Sequence, residues 1–207
     1  MLKSGDHTVN WSSFKPCSDI KKVVWVENEK ITEIGFTTEE VNIDEEQDLL
    51  YRKQELTFND PNKGKRTINL VLNRFTFEPV SCTDEGPFNV NVTYQDKEID
   101  VNSTKYKRTD GVFDLFSIEL LLRLLPLELG YTNELQAFNH MESQTVVAKI
   151  EVTQKEKISD GNQDVDAWCV QLFFGDKLQT YWISCETNEI LKQSVKIRDG
   201  MFFDFVR

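Results

Sequence analysis

From Phe88 to Gln95 apolar and polar residues alternate without a break: Phe88, Val90, Val92 and Tyr94 interleave with Asn89, Asn91, Thr93 and Gln95. A period of two puts the first set on one face of an extended strand and the second on the other. The same rhythm recurs at Ile68, Leu70 and Leu72, at Val146, Ala148, Ile150 and Val152, and at Trp168, Val170, Leu172 and Phe174; Leu191, Val195 and Ile197 continue it. Turn-forming runs stand between these segments: Asp60-Pro61-Asn62-Lys63-Gly64, Glu85-Gly86-Pro87, Asp160-Gly161-Asn162, Gly175-Asp176 and Asp199-Gly200. Strands joined by loops this short predict antiparallel neighbours in a meander.

The period changes at the centre of the chain. Leu115, Phe116, Ile118, Leu120, Leu121, Leu122, Leu124 and Leu125 crowd nearly every side of a helix predicted over about 114–125. Asp114 is placed to cap its start, and Leu125-Pro126 with Gly130 to end it. A helix this apolar must be covered on most of its surface. The predicted fold is therefore mainly β (α+β), a large curved antiparallel sheet whose concave face wraps one central helix. Residues 1–20 read as a polar N-terminal arm that Trp11 and Phe14 dock against the rest, and residues 21–207 as a single β-rich domain.

Composition narrows the partners. Lys and Arg number 24 against 35 Asp and Glu in 207 residues, a formal charge of −11. That balance disfavours nucleic acid and anionic membrane surfaces. The longest apolar run, interrupted by Glu119, Arg123, Pro126 and Glu128, is too short and too charged to span a bilayer. No basic stretch leads into an apolar run at the N-terminus, so the expected location is cytoplasmic as the chain is written, or the envelope if a leader has been removed. Cys17, Cys82, Cys169 and Cys185 show no paired metal-site or redox spacing and read as small apolar residues. Cys169 and Cys185 fall on neighbouring predicted strands, where a disulfide is sterically feasible.

No motif for nucleotide, phosphate, zinc or nucleophilic catalysis occurs, so no cofactor and no metal are expected and the chain reads as non-enzymatic. His7 lies in the arm, and His140 reads as a surface or strand-end residue. Arg123 stands out as a cation within the apolar helix, to be met by Glu119, Glu128 or Asp114, or by a ligand anion at the mouth of a cavity. The aromatics Phe173, Phe174, Tyr181, Trp182, Phe202, Phe203 and Phe205 form core or line a pocket between helix and sheet.

The order Asp114-Leu115-Phe116-Ser117, Leu122-Arg123, Pro126-Leu127 and Gly130, followed by Tyr181-Trp182-Ile183-Ser184 and Thr187-Asn188-Glu189, resembles a block of the bacterial domain-of-unknown-function family DUF3108. The resemblance covers roughly the second half of the chain. It implies a curved sheet around a helix, similar to the half-barrels of LolA-like lipoprotein carriers, whose relatives hold acyl chains between the two. On this basis the expected function is a binding module for a lipid or other hydrophobic molecule, lined by Phe116, Leu120, Leu124, Trp168, Phe174 and Trp182 with Arg123 at the rim. The alternatives are a solid-core interaction or scaffold protein with no partner identified, and, more remotely, a hydrolase or lyase using paired carboxylates.

Overall fold

The computed structural model describes residues 1–6, 8–160 and 163–207. His7, and Gly161 and Asn162 of one predicted turn, lie outside the described residues. Eight strands form a first meander: β1 (Cys17–Glu27), β2 (Lys30–Asp44), β3 (Leu49–Phe58), β4 (Lys65–Asn73), β5 (Pro79–Glu85), β6 (Val90–Tyr94), β7 (Glu98–Val101) and β8 (Thr104–Lys107). A second runs through β10 (Thr132–Asn139), β11 (Gln144–Asp160), β12 (Gln163–Phe174), β13 (Lys177–Ser184), β14 (Ile190–Arg198) and β15 (Met201–Val206). Between them come the two-residue β9 (Phe113–Asp114), a 3-10 turn over Leu115–Ser117 and one short helix, α1 (Ile118–Leu122).

The first and last strands join the two meanders. β1 pairs antiparallel with β15 from Lys22 opposite Val206 to Glu27 opposite Met201, which makes one 15-stranded sheet with β8 and β9 at its edges. Among the described residues every pairing between these strands is antiparallel except the short one between β9 and β10. The sheet is large, open and curved. Its curvature is visible in side-chain contacts between distant strands, since Tyr94 of β6 reaches Asp114 of β9 and Asp84 of β5 reaches His140 just after β10.

Most of the alternating residues face inward, as their spacing predicts, while Phe88 and Ile197 are exposed. Ile68, Leu70 and Leu72 of β4, Val92 of β6, Ala148, Ile150 and Val152 of β11, and Val170 and Leu172 of β12 are buried in one apolar core with Phe113, Ile118, Leu120, Leu121 and Leu122. The exposed Phe88 lies just outside its strand, β6. β1, β2 and β3 escape the pattern because their inward positions carry Lys21, Thr37 and Arg52, all buried. Their turns escape it too. Asn28 and Glu29 adopt φ of 48° and 69°, the left-handed pair of a tight hairpin, without the glycine that would announce it. Gly35 is demanded by contact rather than by a turn: a Cβ there would lie 2.1 Å from the Thr57 carbonyl oxygen.

One expectation is corrected. The helix predicted over 114–125 is a 3-10 turn followed by five α-helical residues, Ile118–Leu122. Asp114 does cap this segment, its carboxylate accepting from the Phe116 N–H at 2.8 Å. Beyond Leu122 the chain tightens, with Arg123 and Leu124 bonding back three residues, before Pro126 excludes further helix. In the first segment, Leu2 bridges Leu135, and Trp11 and Phe14 are buried against Phe77, with Trp11 also beside Phe113. The first strand begins at Cys17, within the segment assigned to the arm.

Candidate functional site

The concave face divides around the helical segment into an apolar cleft and a charged, closed side. Phe116 and Glu119 belong to the wall between them. Arg52, from the middle of β3, organises the charged side: its Nε donates to Glu39 at 2.5 Å, one Nη donates to the Phe116 carbonyl oxygen at 2.5 Å, and the other Nη meets Glu119. Its side chain is 1 % exposed. Burial opposes the charge on Arg52, but Glu39 and Glu119 outweigh it and hold the guanidinium more firmly protonated than usual. The Glu39 carboxyl, which burial alone would raise, is lowered by Arg52 and Lys21. One buried cation thereby ties two strands to the backbone and side chain of the helical segment.

Nearby, Asp19 pairs with Lys21 and Arg207, and Arg207 also meets Glu189 at 2.8 Å. The spaces left among these groups are only about 10 and 20 Å³. Glu119 is therefore the partner of Arg52, not of Arg123 as the helical spacing predicts. Arg123 lies over the Phe14 ring at 4.8 Å and points one Nη at the Cys17 sulfur at 3.1 Å. Its Nε is buried with no partner, and no carboxylate lies within ion-pair distance of it among the described residues.

The other side holds a cleft of about 440 Å³. Leu56 and Phe58 of β3, Ile68, Phe116, Leu172, Phe174, Val195, Phe203 and Phe205 supply most of its walls, with Gln54, Gln179, Tyr181 and Gln193 interspersed. A second depression of about 830 Å³ shares Leu115, Met141, Phe174, Gln179, Val195 and Ile197 with the first and extends it toward the β10–β11 and β12–β13 turns. Arg66 is the one cation lining the cleft among the described residues, and it is spoken for: two parallel bonds of 2.8 and 2.6 Å join it to Asp84, and the Phe88 and Phe116 rings flank it. Glu119, the one carboxylate there, is held by Arg52. Thr37 contributes a buried hydroxyl with no partner.

Of the residues singled out from sequence, Phe116 and Phe174 line this cleft. Leu120 and Arg123 border the 10 Å³ void on the charged side, and Leu124 packs against the core. Trp168 also packs against the core, near Lys155, away from the cleft lining. Trp182 is opposite Cys169 and Lys192, so strand alternation puts it on the face away from Tyr181; its indole N–H donates to Glu156, and Lys192 covers its ring at 4.7 Å. The three residues Phe174, Phe203 and Phe205 were legible as an aromatic set, whereas Arg52 and Arg66 carried no signal beyond their type.

His140 is a strand-end residue, but it is buried, 2 % exposed, not on the surface. Its Nε2 lies 3.2 Å from Asp84. Burial would raise the Asp84 carboxyl, yet Arg66 and His140 hold it down to about 2. Burial raises the Cys82 thiol and the Asp114 carboxyl beside it. All four cysteines are free, including Cys169 and Cys185.

The model of a family described as "Protein of unknown function (DUF3108)" matches residues 31–205, from β2 to β15, and so extends through the first meander as well as the second. No curated protein matches the chain. A crystal structure of a β-barrel-like protein of domain of unknown function DUF1849 from Brucella abortus is similar at 13% identity and a TM-score of 0.49, covering 93% of this chain and 96% of that one.

Proposed function

Given that the chain belongs to the DUF3108 family, we propose that it is a binding module that holds an uncharged hydrophobic ligand in the cleft between the helical segment and β3–β4 and β12–β15. The observation that carries this reading is a volume of about 440 Å³, with largely apolar walls, left beside the buried apolar core. That volume is in the range of small-molecule sites, which combine apolar walls with a few polar groups. On this reading the curved sheet serves as a half-barrel resembling that of the lipoprotein carriers, with Phe116 and Phe174 as its aromatic contacts.

Charge bookkeeping inside the cleft sets the ligand class. Arg66 and Glu119 are already paired with Asp84 and Arg52, so an ionised head group would enter an apolar space without a counter-charge. A neutral lipid or similar molecule fits, with any charged head left in solvent near the wider depression. Gln179, Gln193 and the Thr37 hydroxyl are the polar contacts available to it. Native mass spectrometry of the purified protein followed by organic extraction tests the reading. A discrete neutral lipid-like adduct, or saturable uptake of a neutral fluorescent hydrophobe by protein stripped of it, is the expected result. A protein that carries nothing and ignores such probes overturns the reading in favour of a solid-core interaction protein.

A further inference from the structure

Beside Phe116, three metal-ligating side chains from distant parts of the chain converge. Cys82 comes from β5, Asp114 from β9 and His140 from the end of β10, and one ligating atom of each lies within 4.8 Å of the other two. Cys82 and Asp114 are fully buried. The His140 ring is held on two sides, by the Phe116 ring at 5.1 Å and by Asp84 at Nε2. Its Nδ1 is buried and has no hydrogen-bond partner.

We propose that Cys82, Asp114 and His140 bind a divalent metal ion of the zinc class, which clasps the two ends of the curved sheet together. The donor set carries the argument first. A thiolate, an imidazole nitrogen and a carboxylate oxygen form a mixed S/N/O set that suits Zn²⁺ and its analogue Co²⁺ and does not suit magnesium or calcium. With the thiol and carboxyl ionised, the set carries two negative charges, which a dication neutralises in an apolar interior.

Geometry carries it next. A point equidistant from three atoms 4.8 Å apart lies about 2.8 Å from each, and zinc ligands sit at about 2.0–2.3 Å, so inward shifts of under about 1 Å complete the contacts. The supports behind the ligands are those that metal sites use. Asp84 occupies Nε2 of His140, which orients the ring and leaves Nδ1 for the ion. Arg66 braces Asp84 in turn. Asp114 is fixed through both oxygens, by the Tyr94 hydroxyl at 2.5 Å and the Phe116 N–H at 2.8 Å, and each oxygen retains a lone pair. Because the group is closed off from solvent, its role is structural: the ion bridges β5 to β9 and β10, which the strand order places near opposite edges of the sheet.

The test is metal content and cobalt spectroscopy on the full chain. Protein prepared without chelators and dialysed against about one equivalent of Zn²⁺ is expected to keep one zinc per chain and to melt higher than chelator-treated protein. Loaded with Co²⁺, it should show the thiolate-to-cobalt charge-transfer band. C82A should abolish the charge-transfer band, H140Q should weaken zinc binding by about 100-fold, and D84N by about 10–100-fold, while C169A binds as the wild type. A folded wild-type protein that retains no zinc at micromolar Zn²⁺ overturns the proposal, as does a cobalt complex lacking the thiolate band. Zinc retained equally by folded C82A and H140Q would place the ion elsewhere and overturn it too. The variant C17A/C169A/C185A keeps Cys82 as its one thiol, so a thiolate band in its cobalt complex assigns the ligand even where C82A fails to fold, and its loss there overturns the proposal.

Discussion

The two sides of the concave face share β2 and β3 and differ in what their inward residues are. Around Arg52 the interior holds Glu39, Glu119, Lys21, Asp19, Arg207 and Glu189, and almost no free volume remains. Around Phe174 the inward residues are apolar or neutral apart from the paired Arg66 and Glu119, and about 440 Å³ stays open. Long charged side chains fill space in order to reach their partners, and each needs its partner to be tolerated there. Apolar walls have no such requirement and leave room wherever side chains fall short of one another. The charged side thus fixes where the helical segment sits, and the apolar side is free to receive a ligand.

The sharpest way to break this contrast is to remove the buried cation. R52M leaves Glu39 and Glu119 buried without their partner and is expected to lower stability by about 3–5 kcal/mol, read from urea denaturation. R52M combined with E39Q and E119Q should recover most of that loss, since no unpaired charge remains. Acid probes the same side. The Glu39 carboxyl is lowered from its ordinary 4.5 by Arg52 and Lys21 against the opposing effect of burial. A lowered carboxyl stabilises the fold fully above its unfolded value and loses that contribution as the pH falls through its folded value. Melting temperatures followed from about pH 6 to about pH 3 should therefore fall more steeply for the wild type than for E39Q.

On the apolar side, V195W fills the cleft. It should weaken uptake of a neutral fluorescent probe by at least about tenfold while changing stability by no more than about 1 kcal/mol. A variant that binds the probe as the wild type does would move the ligand out of the cleft. The smallest effects are expected at residues that the sequence pattern singled out and the structure places elsewhere. R123M removes a cation with no carboxylate partner and one unpartnered buried nitrogen, so its stability change should stay within about 1 kcal/mol, far below that of R52M. W182A should leave probe affinity unchanged, because its ring lies under Lys192 on the other face.

The strands with alternating apolar residues, β4, β6, β11 and β12, were legible because their inward faces carry unbroken runs of three or four hydrophobic residues. β1, β2 and β3 were not, for the reason that makes them important. Their inward Lys21, Thr37, Glu39 and Arg52 erase the alternation, and only partners supplied by other elements make those positions tolerable. The same holds for Arg123 and Arg52. Both are arginines near acidic residues in the sequence, yet only the folded arrangement brings Glu39 and Glu119 to one and not to the other. Trp182 misled for a simpler reason, since it sits one residue from the inward Tyr181 and a period of two sends neighbours to opposite faces.

Taken alone, the order of the residues determined the strand content, the antiparallel connections, the break at Pro126, the Asp114 cap and the membership suggested by the block from Asp114 to Glu189. These depend on near neighbours along the chain, where spacing dictates which side chains share a face. The pairing of β1 with β15, the shortening of the helix, the burial of Arg52 and the meeting of Cys82, Asp114 and His140 depended on how the sheet curls. Residues far apart in the chain meet only when the curved sheet closes toward itself, and the partners it supplies decide which charges can be buried and where space is left.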